Sequence, residues 1–243
     1  MRIHKEGKLP LLRIFAILFI INIVIFYFIP NTVFAVIFLS VSIILFAMSI
    51  NFYKKPERVY KGELNGLVNA PTDGKIVTVE KVYEKNFLKE ECIQISIFMS
   101  FFNAHSNWIP VSGDITHLSH VAGNFHAAYL PKSSTENEHT NILIKTPEHG
   151  TILTKQIAGA VARRIVTYVK EGEHVKIGSP LGFIKLGSRM DIFLPVNSEV
   201  LVDLGDEVRA NETFIARLFK TDSSDIKEDD ENNSDLSNTI SDK

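Results

Sequence analysis

The strongest constraint on the fold of this chain is a pair of apolar runs near its N-terminus, at residues 11–29 and 33–50, with a short turn between them. Each run is close to the ~20 residues that an α-helix needs to cross the hydrocarbon core of a bilayer. Arg13 is the one charged residue within the runs, and it lies near one end, where its long side chain can reach the interface. Neither run has a polar face, which argues against a helical pair in a soluble core. We therefore expect residues 1–55 to form a transmembrane helical hairpin.

Basic residues flank the two apolar runs of this hairpin. At the entrance of the first run they are Arg2, Lys5, Lys8 and Arg13, and after the second run they are Lys54, Lys55, Arg58 and Lys61. The positive-inside rule places such flanks on the cytoplasmic side. A cleaved signal peptide fits less well, because the second run follows at once and no small-residue cleavage site precedes it. The prediction is a cell-membrane protein whose remaining chain is on the cytoplasmic side.

Residues 56–220 have a different pattern, with short runs of alternating polarity that are separated by Gly, Pro and Asn. Such runs at this spacing are typical of an antiparallel β domain. Helical periodicity is almost absent there. The predicted fold is mainly β, with strand-like runs at residues 75–79, 93–99, 141–145, 164–169, 181–186 and 191–195.

A weak internal repeat refines this prediction. It has Gly or Asn at turn positions and apolar residues that begin strands. The pattern resembles the halves of a barrel-sandwich domain of the lipoyl or biotinyl type. The segment between the two copies lacks the Met-Lys-Met-like signature of a carrier lysine. The two copies run Gly172, Val175, Gly178, Leu181 and Gly205, Val208, Asn211, Phe214.

The charge of the chain is uneven. Residues 221–243 contain eight of the 28 acidic and two of the 26 basic residues, and they have too few apolar side chains to offset the entropy of ordering, so we expect a disordered acidic tail. The rest is only weakly basic, which argues against nucleic acid as a partner. The single cysteine, Cys92, excludes a disulfide framework within the chain.

Gly-Ser occurs twice, as Gly178-Ser179 and Gly187-Ser188. Ser179 is followed by a proline within a turn and is an ordinary loop residue. Ser188 lies between two strand-like runs, where a tight peptide could be held. The second dipeptide is therefore the stronger candidate for chemistry.

Several polar segments accompany Gly187-Ser188, and in this order they resemble the short form of the phosphatidylserine decarboxylase proenzymes. The match extends over residues 56–220, and ordered segments are far more specific than any one motif. The matching segments are Pro71-Thr72-Asp73-Gly74, Met99-Ser100, His105-x-Asn107-x-x-Pro110-Val111-Ser112-Gly113, Asn137-Glu138, Gln156-Ile157-Ala158-Gly159, Ala162-Arg163-Arg164-Ile165 and Gly182-Phe183-Ile184-x-x-Gly187-Ser188-Arg189-Met190-Asp191-x-x-Leu194-Pro195.

The resemblance implies self-cleavage between Gly187 and Ser188, which converts Ser188 into a covalent pyruvoyl (pyruvate) cofactor and leaves a heterodimer of the two cleaved chains. The pyruvoyl group would form a Schiff base with phosphatidylserine, giving phosphatidylethanolamine and carbon dioxide. Membrane lipid is then the expected partner, and a higher oligomer is compatible with the sequence.

The resemblance also implies roles for acid–base residues. Asp73 matches a family aspartate that orients a histidine for cleavage, and His105 matches a histidine associated with decarboxylation. Where longer members have a second histidine, this chain has Trp108. Either His105 serves both steps, or another histidine such as His139 is the base for cleavage, since an imidazole is suited to proton transfer near neutral pH.

Two other functions can be formulated. A membrane-tethered barrel-sandwich adaptor or carrier module would explain the repeat, but it leaves His105, Asp73 and the Gly-Ser junction without a purpose. A membrane-bound metallohydrolase would depend on histidines that show no recognisable ligand spacing with a carboxylate, so no metal site is expected. Those histidines are His117, His120 and His126.

Overall fold

The computed structural model describes residues 2–58, 65–160, 164–185 and 188–220. Several of the sequence predictions lie outside these residues, namely Gly187 on the upstream side of the expected cleavage site, the acidic tail at 221–243, Lys61 of the basic flank and Ala162-Arg163 of one matching segment. The boundaries 1–55, 56–220 and 221–243 remain predictions about domains.

Two long apolar helices form an N-terminal hairpin, α1 (Lys8–Phe28) and α2 (Thr32–Phe52), after a short 3₁₀ turn at Lys5–Gly7. Both are long and apolar enough to cross a membrane. The side chain of Asn31 caps α2 by accepting a hydrogen bond from the amide of Phe34 at 3.1 Å. At the other end of the hairpin, strands β1 (Arg2–Ile3) and β2 (Lys54–Lys55) pair and hold the two chain ends together.

In the rest of the described chain the regular structure is β apart from one short helix, and all the strand pairs are antiparallel. An eight-stranded curled sheet has the order β11-β7-β8-β9-β13-β5-β4-β15. The prediction of a mainly β, barrel-sandwich-like fold preceded by a helical hairpin is confirmed. The strands of this sheet are β4 (Gly74–Glu84), β5 (Glu90–Met99), β7 (Gly113–Val121), β8 (His139–Lys145), β9 (Thr151–Ile157), β11 (His174–Val175), β13 (Ser188–Pro195) and β15 (Glu207–Val208).

Two three-stranded sheets complete the domain, and each contains one strand from early and two from later in the chain. Their orders are β10-β12-β6 and β14-β16-β3. A four-residue helix, α3 (Ser133–Glu136), lies in the connection between β7 and β8. The strands are β3 (Leu67–Asn69), β6 (Ser106–Trp108), β10 (Ile165–Thr167), β12 (Pro180–Ile184), β14 (Glu199–Val200) and β16 (Phe214–Arg217).

The internal repeat is present in three dimensions. All four turn positions have positive φ, at 82° and 76° in the first copy and 100° and 60° in the second, which glycine and asparagine tolerate best. The strand after the first turn of each copy, β11 or β15, pairs at one of the two ends of the large sheet. The repeat therefore closes the sheet at both ends in the same way, at Gly172, Gly178, Gly205 and Asn211.

The two faces of the large sheet are both buried along β13. Paired residues share a face and successive residues alternate, so Ser188 and Met190 face the same side as their partners Met99 and Ile97. This side, which we call the inner face, contains the main hydrophobic core. The outer face contains a smaller apolar cluster of Cys92, Leu153 and Phe193, and buried charged groups.

Candidate active site

Ser188 is the first residue of β13 and is completely buried. Its partner across β5 is Met99, and its hydroxyl donates to the sulfur of Met99 at 3.5 Å. Strand β12 ends at Ile184 in a small sheet, and β13 begins in the middle of the large sheet, so only residues 185–187 connect the two. The Gly-Ser junction therefore lies where the chain changes sheets.

The sulfur of Met99 gathers polar side chains from three of the matching segments. Besides Ser188, Thr72 donates to it from 2.8 Å and Asn107 from 3.8 Å. A thioether is a weak acceptor, so the Ser188 hydroxyl is positioned without being strongly bound. Sequence reasoning gave Met99, Thr72 and Asn107 no individual role, although all three stood within the matching segments.

A buried amide relay holds Asn107 in place. Gln156 of β9 donates to the side-chain oxygen of Asn107 at 2.8 Å, and Thr167 of β10 donates to the side-chain oxygen of Gln156, also at 2.8 Å. Gly182 of β12 packs so closely here that an added Cβ would lie 2.6 Å from the Gln156 amide nitrogen. These contacts connect the large sheet to the small sheet β10-β12-β6 at Asn107, which also contacts Met99.

His105 lies just before β6 and is completely buried. Its Nδ1 is 3.1 Å from the carbonyl oxygen of Asn103, which can only accept, so Nδ1 carries the proton. Among the described residues the buried Nε2 has no hydrogen-bond partner. The His105 carbonyl accepts from the amide of Ile184, at the end of β12, at 3.2 Å. The imidazole is thus fixed at one nitrogen and unsatisfied at the other.

Burial is the main reason that the pKa of His105 falls to about 4. The hydrogen bond to Asn103 opposes this shift, and the charge of Lys54 adds to it. The ring is therefore neutral at pH 7, with the Nε2 lone pair available to take a proton.

Asp73 is buried beside Thr72, at the start of β4. Its Oδ1 accepts a hydrogen bond from the amide of Ala210 at 3.0 Å and pairs with the guanidinium of Arg58. Within the described ranges no hydrogen bond joins Asp73 to a histidine. The carboxylate instead ties the segment that contains Thr72 to the chain just after the membrane hairpin.

A sequence profile of the phosphatidylserine decarboxylase family matches residues 45–216, which include every segment described above. The chain is 49% identical to the phosphatidylserine decarboxylase proenzyme of Parabacteroides distasonis over 90% of its own length and 100% of the relative's. The relative of the same name in Porphyromonas gingivalis is 45% identical over 90% and 99%. That in Cytophaga hutchinsonii is 42% identical over 90% and 100%.

The chain belongs to the phosphatidylserine decarboxylase family. The resemblance seen in the sequence is therefore confirmed. In this family member Thr72, Met99, Asn107, Gln156 and Ser188, each from a different matching segment, are joined by hydrogen bonds, although they are spread over more than a hundred residues of sequence.

The structure does not bring His139 to this decarboxylase site. His139 pairs with Ile157 of β9, and Ile157 pairs with Arg189 of β13, so all three lie on the outer face of the sheet. Ser188 lies on the inner face. His139 has its Nδ1 2.6 Å from the Asn137 carbonyl, and burial lowers its pKa.

Directly behind Ser188, the outer face holds a buried ion pair. Arg189 Nε donates to Asp191 Oδ1 at 2.5 Å, and Arg189 Nη2 donates to Ser96 of β5 at 2.7 Å. The second oxygen of Asp191 accepts from Ser134 of α3 at 2.5 Å and from Gln94 at 3.3 Å. Sequence reasoning named Arg189 and Asp191 only as part of a motif. In the structure their hydrogen bonds hold the first residues of β13 after Ser188.

The histidines of the metallohydrolase alternative are dispersed. His117 and His120 lie on β7, while His126 pairs with Glu136 at 2.9 Å. Within residues 2–58, 65–160, 164–185 and 188–220, no three metal-ligating side chains come together.

A polar pocket of about 340 Å³ lies between the membrane hairpin and Asp73. Its charged lining residues are three cations, Lys54, Arg58 and Arg209, and two carboxylates, Asp73 and Glu207. Arg58 and Arg209 both pair with Glu212, whereas the hydrogen bonds of the Lys54 ammonium go to neutral oxygens of Asn51 and Phe102. Lys54 is the cation here whose charge is least compensated by these contacts.

Proposed function

We propose that this chain is a self-processing, membrane-bound decarboxylase that converts phosphatidylserine to phosphatidylethanolamine and carbon dioxide, with a pyruvoyl group made from Ser188. The observation that carries this is the burial of Ser188 at a sheet change, against the Met99 sulfur that Thr72 and Asn107 of two other matching segments also contact. Membership of the family supplies the reaction class.

The first reaction is cleavage of the chain. The Ser188 oxygen attacks the carbonyl carbon of Gly187 and loses its proton, so that an ester replaces the peptide bond. Loss of the Ser188 Cα proton then expels the Gly187 carboxylate and leaves dehydroalanine. Addition of water and departure of ammonia give the ketone. The weak contact with the Met99 sulfur leaves the hydroxyl free to attack.

We assign both proton transfers of the site to His105. Its neutral ring has an Nε2 with no hydrogen-bond partner in the described part of the chain, and it lies two residues before Asn107, which reaches the same sulfur as Ser188. His139, the other candidate, lies on the opposite face of the sheet. A general base of this kind typically accelerates a step by about 10²–10⁴-fold.

The residues present suit a pyruvoyl group at position 188, because the position is buried and its hydroxyl contacts the same Met99 sulfur as Asn107, two residues from His105. Such a group supplies a carbonyl that condenses with the substrate amine and accepts the electron pair released with carbon dioxide. His105 Nε2 would take a proton from the substrate ammonium and return a proton at Cα. The surrounding apolar core keeps water from the site.

The anionic headgroup fits the pocket at the end of the hairpin. Lys54 lines this pocket and would contact a phosphate there, with Arg58 and Arg209 also in the lining. The basic flanks of the hairpin favour the cytoplasmic side for this pocket. A lipid in the inner leaflet would then reach the site with its acyl chains still in the bilayer.

Intact mass of the purified full chain tests the processing. Wild type should give two chains that separate at residues 187 and 188, and Ser188→Ala should remain one chain of 27.4 kDa. Ser179→Ala is the matched control, because it alters the other Gly-Ser dipeptide and should split normally. A single uncut species in catalytically active wild-type protein would falsify the proposal.

The assignment of the base has its own comparison. His105→Ala should accumulate uncut chain on a gel, while His139→Gln should split and release carbon dioxide as wild type does. If His105→Ala splits at the wild-type rate, the base for cleavage is another group, and carbon dioxide release from the split variant then shows whether His105 serves decarboxylation alone.

A further inference from the structure

The last turn of α2 is packed into the β domain. Phe52 is 2% exposed and is the only apolar side chain of α2 that is buried within the described residues. The other buried residue of that helix, Ser42, bonds to Asn22 of α1 instead. Helix α2 therefore has one buried apolar side chain, and it lies at the end of the helix that meets the domain.

That contact is with the proposed catalytic base. The centroid of the Phe52 ring is 4.3 Å from that of His105, and it is 5.9 Å from those of Phe101 and Phe183. Phe101 precedes His105 in the same connection, and Phe183 lies in β12 just before the Gly-Ser junction. Phe52 thus packs against the imidazole and also against the strand that leads to Ser188.

Neighbouring residues hold the ring of Phe183, against which Phe52 packs. Tyr53 stacks on Phe183 at 5.8 Å, and His4 stacks on the same ring at 4.6 Å. Gly7 lies so close to Tyr53 that an added Cβ would be 2.5 Å from the Tyr53 Cβ. Both ends of the hairpin are thereby docked against one aromatic side chain of β12.

Polar contacts hold the connection that carries His105. The side chains of Asn51 and Lys54 both donate to the Phe102 carbonyl, at 3.2 and 3.3 Å. One residue further on, Asn103 caps the turn with its side chain and accepts from His105 Nδ1 with its carbonyl. The end of α2 therefore holds the connection that orients the imidazole.

We propose that Phe52 is a positioning residue for His105, so that the membrane hairpin completes the active site as well as tethering it. The inference deepens the proposed function and depends on its assignment of His105. Removal of the Phe52 ring would let the imidazole move and admit water to it. The charged side chain whose field reaches His105 is Lys54, and it would remain.

The test uses the full chain in phospholipid nanodiscs that contain phosphatidylserine. Phe52→Ala should lower kcat by roughly ten- to a hundredfold, the loss typical of a displaced catalytic group, with a smaller change in KM. The acid limb of the pH profile of kcat should move to higher pH, because a hydrated imidazole titrates closer to its ordinary pKa of about 6.5. Phe52→Leu, which retains most of the apolar volume, should restore part of the rate.

Phe46→Ala is the matched control, since Phe46 is on the same helix and packs against Phe15 of α1. It should leave kcat and the pH profile unchanged. A Phe52→Ala protein with wild-type kcat and pH profile would overturn the inference. So would a Phe46→Ala protein with the same losses, because the effect would then belong to the hairpin in general.

Histidine NMR titration separates this inference from the proposed function. In the Ser188→Ala background, which forms no pyruvoyl group, the pKa of His105 should rise on Phe52→Ala and rise less on Phe52→Leu. No rise contradicts the positioning role whatever the activity. If the pKa of His105 rises but His105→Ala decarboxylates at the wild-type rate, Phe52 does position the imidazole, and the catalytic assignment of His105 is refuted instead.

Discussion

The two faces of β13 are both buried, yet they are stabilised in different ways. The inner face packs Met190, Ile192 and Leu194 into the main core, on the same side of the strand as Ser188. The outer face places Arg189 and Asp191 in a hydrogen-bonded ion pair. The proposed reaction at Ser188 requires a fixed backbone at the start of this strand, and the strand is held by apolar packing on one side and by directional polar bonds on the other. The two faces should therefore respond differently to substitution.

Breaking the ion pair should have the largest effect on stability. Asp191→Ala leaves the Arg189 guanidinium buried without a carboxylate, which typically costs about 3–5 kcal/mol. Unfolding should be followed in detergent in the Ser188→Ala background, so that all molecules are uncut. The double variant Arg189→Met with Asp191→Leu should recover much of the loss. If the double variant is as unstable as the single one, the outer face depends on shape and not on charge.

Acid should destabilise the protein through two buried histidines, His105 just before β6 and His139 on the outer face of the sheet. The pKa values of His105 and His139 are lowered by burial, so between those values and about 6.5 the unfolded chain binds more protons than the folded one. Stability is therefore lost as the pH falls from about 6.5, by about 3 kcal/mol for His105 by pH 4. Thermal melts across pH should be flatter for His105→Gln and for His139→Gln. Unchanged slopes would contradict the burial of these rings in their neutral form.

A small change on the inner face should have a modest cost. Ile192→Val removes one methylene from a completely buried side chain, for which about 0.5–1.5 kcal/mol is typical. Chemical unfolding in the same Ser188→Ala background gives the comparison with Asp191→Ala. A loss as large as that of Asp191→Ala would mean that the inner face is as intolerant as the outer one.

The smallest effect is expected at an exposed pair on a different sheet. Arg217 donates to Glu199 at 3.0 Å between β16 and β14, with both side chains about half exposed. Pairs of this kind contribute about 0.2–1 kcal/mol, and salt screens them. Arg217→Ala should therefore shift the unfolding midpoint only slightly, and less still at high salt. A large shift would show that the strong response to Asp191→Ala does not require burial.

Much of the fold was predictable from local sequence. The hairpin follows from two long apolar runs, and the repeat follows from Gly and Asn at positions that require positive φ, as Gly205 and Asn211 show. Strands β7 and β9 were not among the predicted runs, because their polar residues on buried faces, such as Gln156, obscure the alternation.

The site was predictable as a set of segments but not as a geometry. Which face His139 occupies depends on strand register, and a shift of one residue would reverse it. Met99 resembles an ordinary core residue, since a thioether in a strand has no evident polar role. The pairing of Asp73 with Arg58 joins a turn to the chain beside the hairpin, and no local pattern indicates such a contact.

The position of β13 between β5 and β9 has a consequence for assembly. Both neighbours precede residue 188, and β15 and β16 likewise pair with the earlier strands β4 and β3. The proposed cut before Ser188 would therefore yield two polypeptides that are interleaved within the same sheets. We expect the uncut chain to refold as one molecule, whereas the two cut chains would have to meet by diffusion, so that their recovery from denaturant would depend on concentration. Folding would then have to precede maturation, and maturation would make unfolding difficult to reverse.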